Sequence, residues 1–239
     1  MNTQEVINKF HEDMKHGEYY TLFYKYLGIE RFFIGERILG PEQSWIGHKL
    51  TEFLAQNPQL YKGKDVLDIG TGSGIQGIIT KIHGAKKVML TDITTDATRN
   101  AYRNITEMNL TNVDYKISDL FTKIFKKYDV IIFNHPFMND NPKNPIEKIY
   151  KINKKTLDIF FTEAKDYMNK DGIIIMPFPD FCDHNPATYA KEFGYEIMRQ
   201  SVIDNEHGKN RIFTLRPKIE IDARQSQLLD HLGREHPPL

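Results

Sequence analysis

The stretch Asp65-Val66-Leu67-Asp68-Ile69-Gly70-Thr71-Gly72-Ser73-Gly74-Ile75 decides the fold of this chain. Its first residues have the character of a short buried strand, its three glycines alternate, and a helical pattern begins at once. Glycine is needed in such a turn because a Cβ atom would block the bend and hold a ligand away from the backbone amides. The stretch therefore predicts a strand, a tight turn and a helix N-terminus that together form a site for a nucleotide-like ligand.

The spacing of the glycines narrows the choice of ligand. It reads G-x-G-x-G, which differs from the G-x-G-x-x-G of dinucleotide folds and from the G-x-x-x-x-G-K-[ST] of a P-loop. No Lys-Ser or Lys-Thr pair follows, so a phosphate cradle is not favoured. By itself, the stretch is also compatible with a plain strand–helix connection in an α/β protein.

Strands and helices alternate through the rest of the chain. The predicted strands are Asp65–Gly70, Lys87–Thr91, Asn112–Ile117, Tyr128–Asn134, Ile173–Pro177, Tyr195–Ile203 and Arg211–Arg216. The predicted helices are Trp45–Gln56, Gly74–His83, Asp96–Met108, Lys154–Asn169 and Pro186–Phe193. This pattern predicts an α/β fold with a doubly wound, mostly parallel, seven-stranded sheet, whose last two strands form an antiparallel hairpin at one edge.

The composition of the chain argues against several classes of protein. The 239 residues carry 32 Lys plus Arg and 32 Asp plus Glu, and this balance argues against a dedicated duplex-binding protein. The single cysteine, Cys182, cannot form an internal disulfide, and no Cys/His cluster has zinc spacing, so no metal is expected. Neither a signal peptide nor an apolar run of roughly 20 residues is present. We therefore expect a soluble, cytoplasmic protein without a membrane partner.

Acidic and amide side chains follow three of the predicted parallel strands. Ligands of doubly wound sheets lie at the carboxyl ends of the strands. Asp92 ends the second strand, where a carboxylate can accept two hydrogen bonds from the hydroxyls of a ribose. Asp119 follows the third strand and can accept from an adenine amino group, while Leu120 packs on the base. The fourth strand ends in Asn134-His135-Pro136-Phe137.

These motifs together resemble those of class I S-adenosylmethionine-dependent methyltransferases. The resemblance runs from Leu39 to Pro177. Within these enzymes, the chain most resembles the branch whose fourth strand ends in N-P-P-[FY]. That branch contains the protein-glutamine methyltransferases of release factors and the enzymes that methylate adenine or guanine amino groups in RNA and DNA. The resemblance implies a Rossmann-like methyltransferase fold, with S-adenosyl-L-methionine as cofactor.

The resemblance also implies roles for individual residues. The glycines let the methionine part of the cofactor approach the backbone, Asp68 lies near its amino group, Asp92 takes the ribose and Asp119 the adenine. The implied cofactor-binding residues are Asp68, Gly70, Thr71, Gly72, Gly74, Asp92, Ile93, Asp119, Leu120 and Asn134.

The same resemblance assigns the chemistry to the fourth strand. The side-chain oxygen of Asn134 and the backbone carbonyl of His135 would accept hydrogen bonds from the target nitrogen, and Phe137 would stack on the planar target group. Two acceptors can orient a nitrogen lone pair and stabilise the positive charge that develops there, so no strong base is required. The implied catalytic residues are Asn134, His135 and Phe137.

Two positions depart from the pattern of the branch. His135 stands where the branch has proline, and its imidazole could act as a general base or simply pack locally. The segment Pro41-Glu42-Gln43-Ser44-Trp45 lacks the arginine of the usual P-R-x-x-T, although Ser44 is a good N-cap.

The sequence predicts three segments. Residues 1–58 form an N-terminal helical extension that acts as a substrate lid, 59–218 the S-adenosylmethionine-binding catalytic core, and 219–239 a tail. The aromatic run from Tyr19 to Phe33 either lines a pocket or docks this extension on the core.

Three functions remain open at this point. The first is N-methylation of an amine or amide of a small molecule, which we favour because 1–58 is too short for the helical domain of the release-factor enzymes. The second is methylation of an exocyclic base amine in RNA or of a glutamine side chain in a protein. The third is cofactor binding without catalysis. The sequence leaves the oligomeric state open.

Overall fold

A seven-stranded sheet forms the centre of the molecule. The computed structural model describes residues 17–40, 43–139, 151–152, 154–179, 186–205 and 208–218. Outside the described residues lie the start of the predicted N-terminal extension, Cys182, most of the loop after Phe137 and the tail at 219–239. The strands of the sheet are β3 (Asp65–Ile69), β4 (Lys87–Asp92), β5 (Val113–Ile117), β6 (Tyr128–Phe133), β9 (Met168–Pro179), β10 (Tyr195–Asn205) and β11 (Gly208–Pro217).

The strand order is β10-β11-β9-β6-β3-β4-β5, which confirms the doubly wound α/β fold. Strands β9, β6, β3, β4 and β5 are mutually parallel, and β11 pairs antiparallel with both β9 and β10. The last two strands therefore form the expected edge hairpin. Ile69 of β3 pairs with Phe133 of β6 on one side and with Thr91 of β4 on the other. The carboxyl ends of these three strands thus lie side by side.

Helices cover both faces of the sheet. They are α1 (Trp45–Gln56), α2 (Ile75–Ile82), α3 (Thr95–Glu107), α4 (Lys154–Glu163) and α5 (Pro186–Glu192). One buried apolar cluster joins Leu50, Ile78 and Ala101 of the first three helices to one face. A second joins Phe160 and Tyr189 of the other two to the opposite face. Within the described ranges, no helix combines the length and apolar character that crossing a membrane requires.

The segment around Gly172 differs from the prediction. The helix expected over Lys154–Asn169 ends at Glu163, a 3-10 turn spans Ala164–Tyr167, and β9 begins at Met168 rather than at Ile173. Lys-Asp-Gly is typical of a turn, but here it lies inside the strand, beside a register shift in the pairing with β6. A Cβ on Gly172 would lie 3.2 Å from the carbonyl oxygen of Tyr128, so glycine allows the two backbones to approach at this irregularity.

The aromatic segment forms a small hairpin. Its strands are β1 (Tyr19–Thr21) and β2 (Phe32–Ile34), which pair antiparallel. All three residues of β2 are buried, and the Arg103 guanidinium of α3 lies 3.6 Å from the ring centroid of Phe33. These contacts dock the hairpin on the core, in agreement with the packing alternative for these residues. Two further short strands, β7 (Met138–Asn139) and β8 (Lys151–Ile152), pair with each other beyond β6.

Candidate active site

The glycine turn joins β3 to α2 at the carboxyl end of the sheet. Gly70, Gly72 and Gly74 have φ values of +63°, +54° and +91°, which side chains with a Cβ rarely adopt. The Thr71 N–H donates to the Thr91 carbonyl at 2.9 Å, which ties the turn to β4. A Cβ on Gly74 would lie 3.2 Å from that of Ala101, so this glycine lets α3 pack against the turn. A Cβ on Gly72 would meet no atom within 4 Å, so this part of the turn is open to a ligand.

Asp68 supports the turn from inside the protein. Its side chain is only 1% exposed, and its Oδ2 accepts from the Thr71 hydroxyl at 2.6 Å and from the Gly77 N–H at 3.0 Å. Burial raises the pKa of this carboxyl from 3.8 to about 7, although both hydrogen bonds act in the opposite direction. The observed contacts hold the turn on the N-terminus of α2. A contact between Asp68 and the amino group of a cofactor stays a prediction.

Asp92 lies at the end of β4 and faces the glycine turn. Its Oδ2 accepts from the Gly72 N–H at 3.1 Å, and its Oδ1 accepts from the N–H and the hydroxyl of Thr94, both at 2.9 Å. Thr94 also caps α3 by accepting from the Ala97 N–H. Burial raises the pKa of Asp92 above its ordinary value. The carboxylate is thus held in one orientation beside the turn, and carboxylate oxygens can accept further hydrogen bonds.

The residues predicted for the adenine end follow β4 and β5. The Ser118 N–H donates to the Asp92 carbonyl at 2.9 Å, which brings the two strand ends together. Asp119 is exposed, Leu120 is half-buried with a φ of +43°, and Ile93 is 46% exposed. An acidic side chain and two accessible apolar side chains therefore occur at this end of the site.

Asn134 follows β6 directly beside the glycine turn. Its Oδ1 is buried and has no hydrogen-bond partner among the described residues. Its Nδ2 lies 3.1 Å from the position of a Cβ on Gly47, in the first turn of α1. The Gln76 side chain donates to the Gly47 carbonyl at 3.1 Å and fixes this turn against α2. Since a buried acceptor without a donor is costly, Asn134 has the properties of a group that receives a hydrogen bond from a ligand.

His135 is packed among aromatic rings. It is 1% exposed, and its ring centroid lies 4.5 Å from that of Phe178 and 5.2 Å from that of Phe137. Its Nδ1 lies 2.6 Å from the carbonyl oxygen of Pro136, so the proton belongs on Nδ1. These contacts favour the packing alternative for the imidazole. Phe137 is half-buried, with its ring edge-on to that of His135.

The residues at this edge fit S-adenosylmethionine. The open face at Gly72 allows a ligand to reach the backbone, and Asp92 offers a fixed carboxylate to hydroxyl groups. Asp119 and the apolar side chains of Leu120 and Ile93 suit an amino-substituted aromatic ring. When bound, the cofactor supplies an activated methyl group on a sulfonium. The sequence predicted every one of these residues, and the fold brings them to one edge of the sheet.

Sequence reasoning did not identify two residues that shape the site. Asn100 and Asn104 on α3 are each 2% exposed, and both donate to the carbonyl of Ser73 in the glycine turn. Their spacing of four residues, in register with the apolar side chains of the same helix, was the available signal. Buried asparagines on an apolar helix face must find polar partners.

Three relatives are similar to much of this chain. A Methanocaldococcus jannaschii protein, provisionally named a protein N5-glutamine methyltransferase, is 29% identical over 68% of this chain and 75% of its own length. The release factor glutamine methyltransferase of Borreliella burgdorferi is 29% identical over 73% of this chain and 64% of its own. The ribosomal RNA small subunit methyltransferase C of Haemophilus influenzae is 31% identical over 65% of this chain but only 42% of its own.

Solved structures share the fold. The magnesium protoporphyrin IX methyltransferase of Synechocystis, solved with bound S-adenosylmethionine, has a TM-score of 0.55 at 17% identity, covering 72% of this chain and 77% of that one. Residues 48–197 match the methyltransferase small domain family, and this range is more than half of the 239 residues. The protein is therefore an S-adenosylmethionine-dependent methyltransferase, and it belongs to the methyltransferase small domain family.

Proposed function

We propose that this enzyme methylates the side-chain amide nitrogen of glutamine in a protein substrate. The observation that carries the proposal is the Oδ1 atom of Asn134, which is buried and has no partner among the described residues. It stands at the start of Asn134-His135-Pro136-Phe137, where a planar amide can donate one hydrogen to this oxygen and the other to the backbone carbonyl of His135.

The chain's own residues act by orientation. A planar amide is a poor nucleophile because its nitrogen lone pair is delocalised. Two acceptors hold the nitrogen with its lone pair directed at the reacting centre, and they stabilise positive charge as the nitrogen becomes tetrahedral. Phe137 provides a flat apolar surface for the amide plane. The methylated nitrogen is cationic and strongly acidic, and it loses its proton to water. Imidazole is therefore not needed as a base in this scheme, which agrees with the packing of His135 among aromatic rings.

The relatives support a macromolecular substrate. Two of the three carry names that refer to glutamine methylation, whereas none refers to a small molecule. Our initial preference for a small-molecule acceptor therefore has no support from these three relatives. An exocyclic base amine in RNA is the second candidate, because it also presents two hydrogens on a planar group and one relative acts on ribosomal RNA.

The test is transfer of a tritiated methyl group from S-adenosylmethionine into a cell extract, followed by separation of protein, RNA and small molecules. We expect label in protein and its recovery as N5-methylglutamine after enzymatic hydrolysis. Asn134→Ala serves as the control, because it removes the acceptor and retains the other residues assigned to the cofactor. Label in RNA alone supports the second candidate, and label confined to small molecules contradicts both.

A further inference from the structure

Two buried asparagines on α3 join the N-terminal hairpin to the glycine turn. Asn100 and Asn104 are one helical turn apart, so their side chains lie on the same face of the helix. Each reaches the hairpin with one set of hydrogen bonds and the Ser73 carbonyl with another. No other described residue forms side-chain hydrogen bonds to both the hairpin and this turn.

On the hairpin side, Asn104 forms two hydrogen bonds with the backbone of Phe33, as a residue of a neighbouring strand would. Its Oδ1 accepts from the Phe33 N–H at 2.8 Å, and its Nδ2 donates to the Phe33 carbonyl at 3.0 Å. Asn100 accepts from the Gly35 N–H at 2.6 Å. Because these groups are buried, the hydrogen bonds cannot be exchanged for water without exposing the hairpin.

On the turn side, both amides converge on one atom. The Ser73 carbonyl accepts from Asn100 at 3.0 Å and from Asn104 at 3.1 Å. Ser73 lies between Gly72, which is open to the ligand, and Gly74, which packs against α3. The N–H of the Ser73–Gly74 peptide donates to the Thr71 carbonyl at 2.8 Å, and the two asparagines hold the carbonyl of the same peptide.

We propose that Asn100 and Asn104 are positioning residues that couple docking of the hairpin to the shape of the cofactor-binding turn. An undocked hairpin leaves the Asn104 Oδ1 and the Asn100 Oδ1 without their donors, so both side chains lose the orientation that holds Ser73. By linkage, a ligand that requires the ordered turn must stabilise the docked hairpin to the same degree. The aromatic hairpin therefore becomes ordered over the core when cofactor binds. This inference rests on the cofactor assignment and is independent of the identity of the methyl acceptor.

The test measures cofactor-product binding and hairpin order separately. Calorimetry gives the affinity for S-adenosylhomocysteine, and hydrogen exchange reports protection of residues 19–34 with and without it. In the wild type, we expect the ligand to slow exchange of the Phe33 amide. In Asn104→Ala, we expect the affinity to fall about tenfold and the ligand-dependent slowing to disappear.

A second variant perturbs the contact between Asn100 and the end of the hairpin. A Cβ on Gly35 would lie 3.0 Å from the Asn100 Oδ1, so Gly35→Ala displaces that amide without removing any polar group. Gly35→Ala still tests the coupling if Asn104→Ala does not fold. Tyr20→Phe is the matched control, since it removes an exposed hydroxyl that bonds to Glu107 and Arg103 and leaves the asparagines intact. We expect the control to bind like the wild type.

The outcomes separate the possible failures. Wild-type affinity in Gly35→Ala, together with hairpin exchange that does not respond to the ligand, would overturn the coupling. Equal losses in the Tyr20→Phe control would overturn the role given to the two asparagines, because weakening the hairpin elsewhere would then have the same effect. No binding of S-adenosylhomocysteine to the wild type would instead reject the cofactor assignment on which the inference rests.

Discussion

The amide of Asn134 lies against Gly47, and its Nδ2 would be 3.1 Å from a Cβ at that position. The contact places the first turn of α1 directly beside the residue to which we assign the target nitrogen. Since only a glycine leaves this space, α1 sets the position of the Asn134 side chain.

Gly47→Ala should therefore lower turnover and spare cofactor binding. The new methyl group displaces the Asn134 amide by a few tenths of an ångström, and misplaced reacting groups lose rate steeply; we expect a fall of about tenfold. The measurement is the rate of methyl transfer to the acceptor found by the labelling experiment, with calorimetry of S-adenosylhomocysteine as the parallel readout.

The Ser44 hydroxyl provides the control for this variant. It would lie 2.5 Å from the same Cβ, so a local clash at the helix start must be distinguished from displacement of Asn134. The double variant Ser44→Ala/Gly47→Ala removes the hydroxyl clash and should remain slow. Recovery of the wild-type rate in the double variant would show that Asn134 is not the affected group.

Asp92→Ala should weaken cofactor binding, whereas Asn134→Ala should lower turnover. Loss of the Asp92 carboxylate leaves the Gly72 N–H without its acceptor and removes the group that we propose for the ribose, so affinity for S-adenosylhomocysteine should fall at least about tenfold. Asn134→Ala should reduce the turnover number with affinity nearly unchanged. Similar losses of affinity in both variants would mean that the division of roles is wrong.

The stability of the protein should depend on pH through Asp68. The pKa of its carboxyl is 3.8 when unfolded and about 7 when folded, because burial disfavours the charged form. Between these values the folded state keeps a proton that the unfolded state has lost, so the free energy of unfolding falls as the pH rises.

Asp68→Asn isolates this contribution. An amide oxygen can accept the same hydrogen bonds from Thr71 and Gly77, but it does not titrate. The free energy of unfolding of the variant relative to the wild type should increase between pH 4 and pH 7, by up to about 1.4 kcal/mol per pH unit. Urea denaturation at several pH values measures this free energy for both proteins. A difference between variant and wild type that stays constant from pH 4 to pH 7 would contradict the raised pKa of Asp68.

His135→Phe tests whether the imidazole has a chemical role. The replacement retains the backbone carbonyl and supplies an aromatic ring to the cluster with Phe178. We expect turnover close to that of the wild type, with the same dependence on pH. A folded variant whose turnover is lost across the pH range would instead support a general base at this position.

The positions of the site residues followed from the sequence because parallel strands end at one edge. Asp92 and Asn134 lie far apart in the chain, yet alternation of strands and helices suffices to bring them together. The helix Trp45–Gln56 also has the predicted limits, with an Asn-Pro pair at its end.

Features that depend on long-range contacts were not predictable in this way. Lys170-Asp171-Gly172 has the local chemistry of a turn, and only pairing with β6 keeps it in a strand. The hairpin around Phe33 is held on the core by the Asn104 side chain, which belongs to a helix distant in the sequence. Local sequence patterns contain no information on such partners.

The strand order has a consequence for how this enzyme can diversify. Strands β3, β4 and β5 support the residues assigned to the cofactor other than Asn134, whereas β9, β11 and β10 lie on the other side of β6. Asn134 follows β6, so the boundary between the two halves runs along a single central strand. Replacing the segment that follows Phe133 with that of a relative should therefore exchange the acceptor while leaving the cofactor half unchanged.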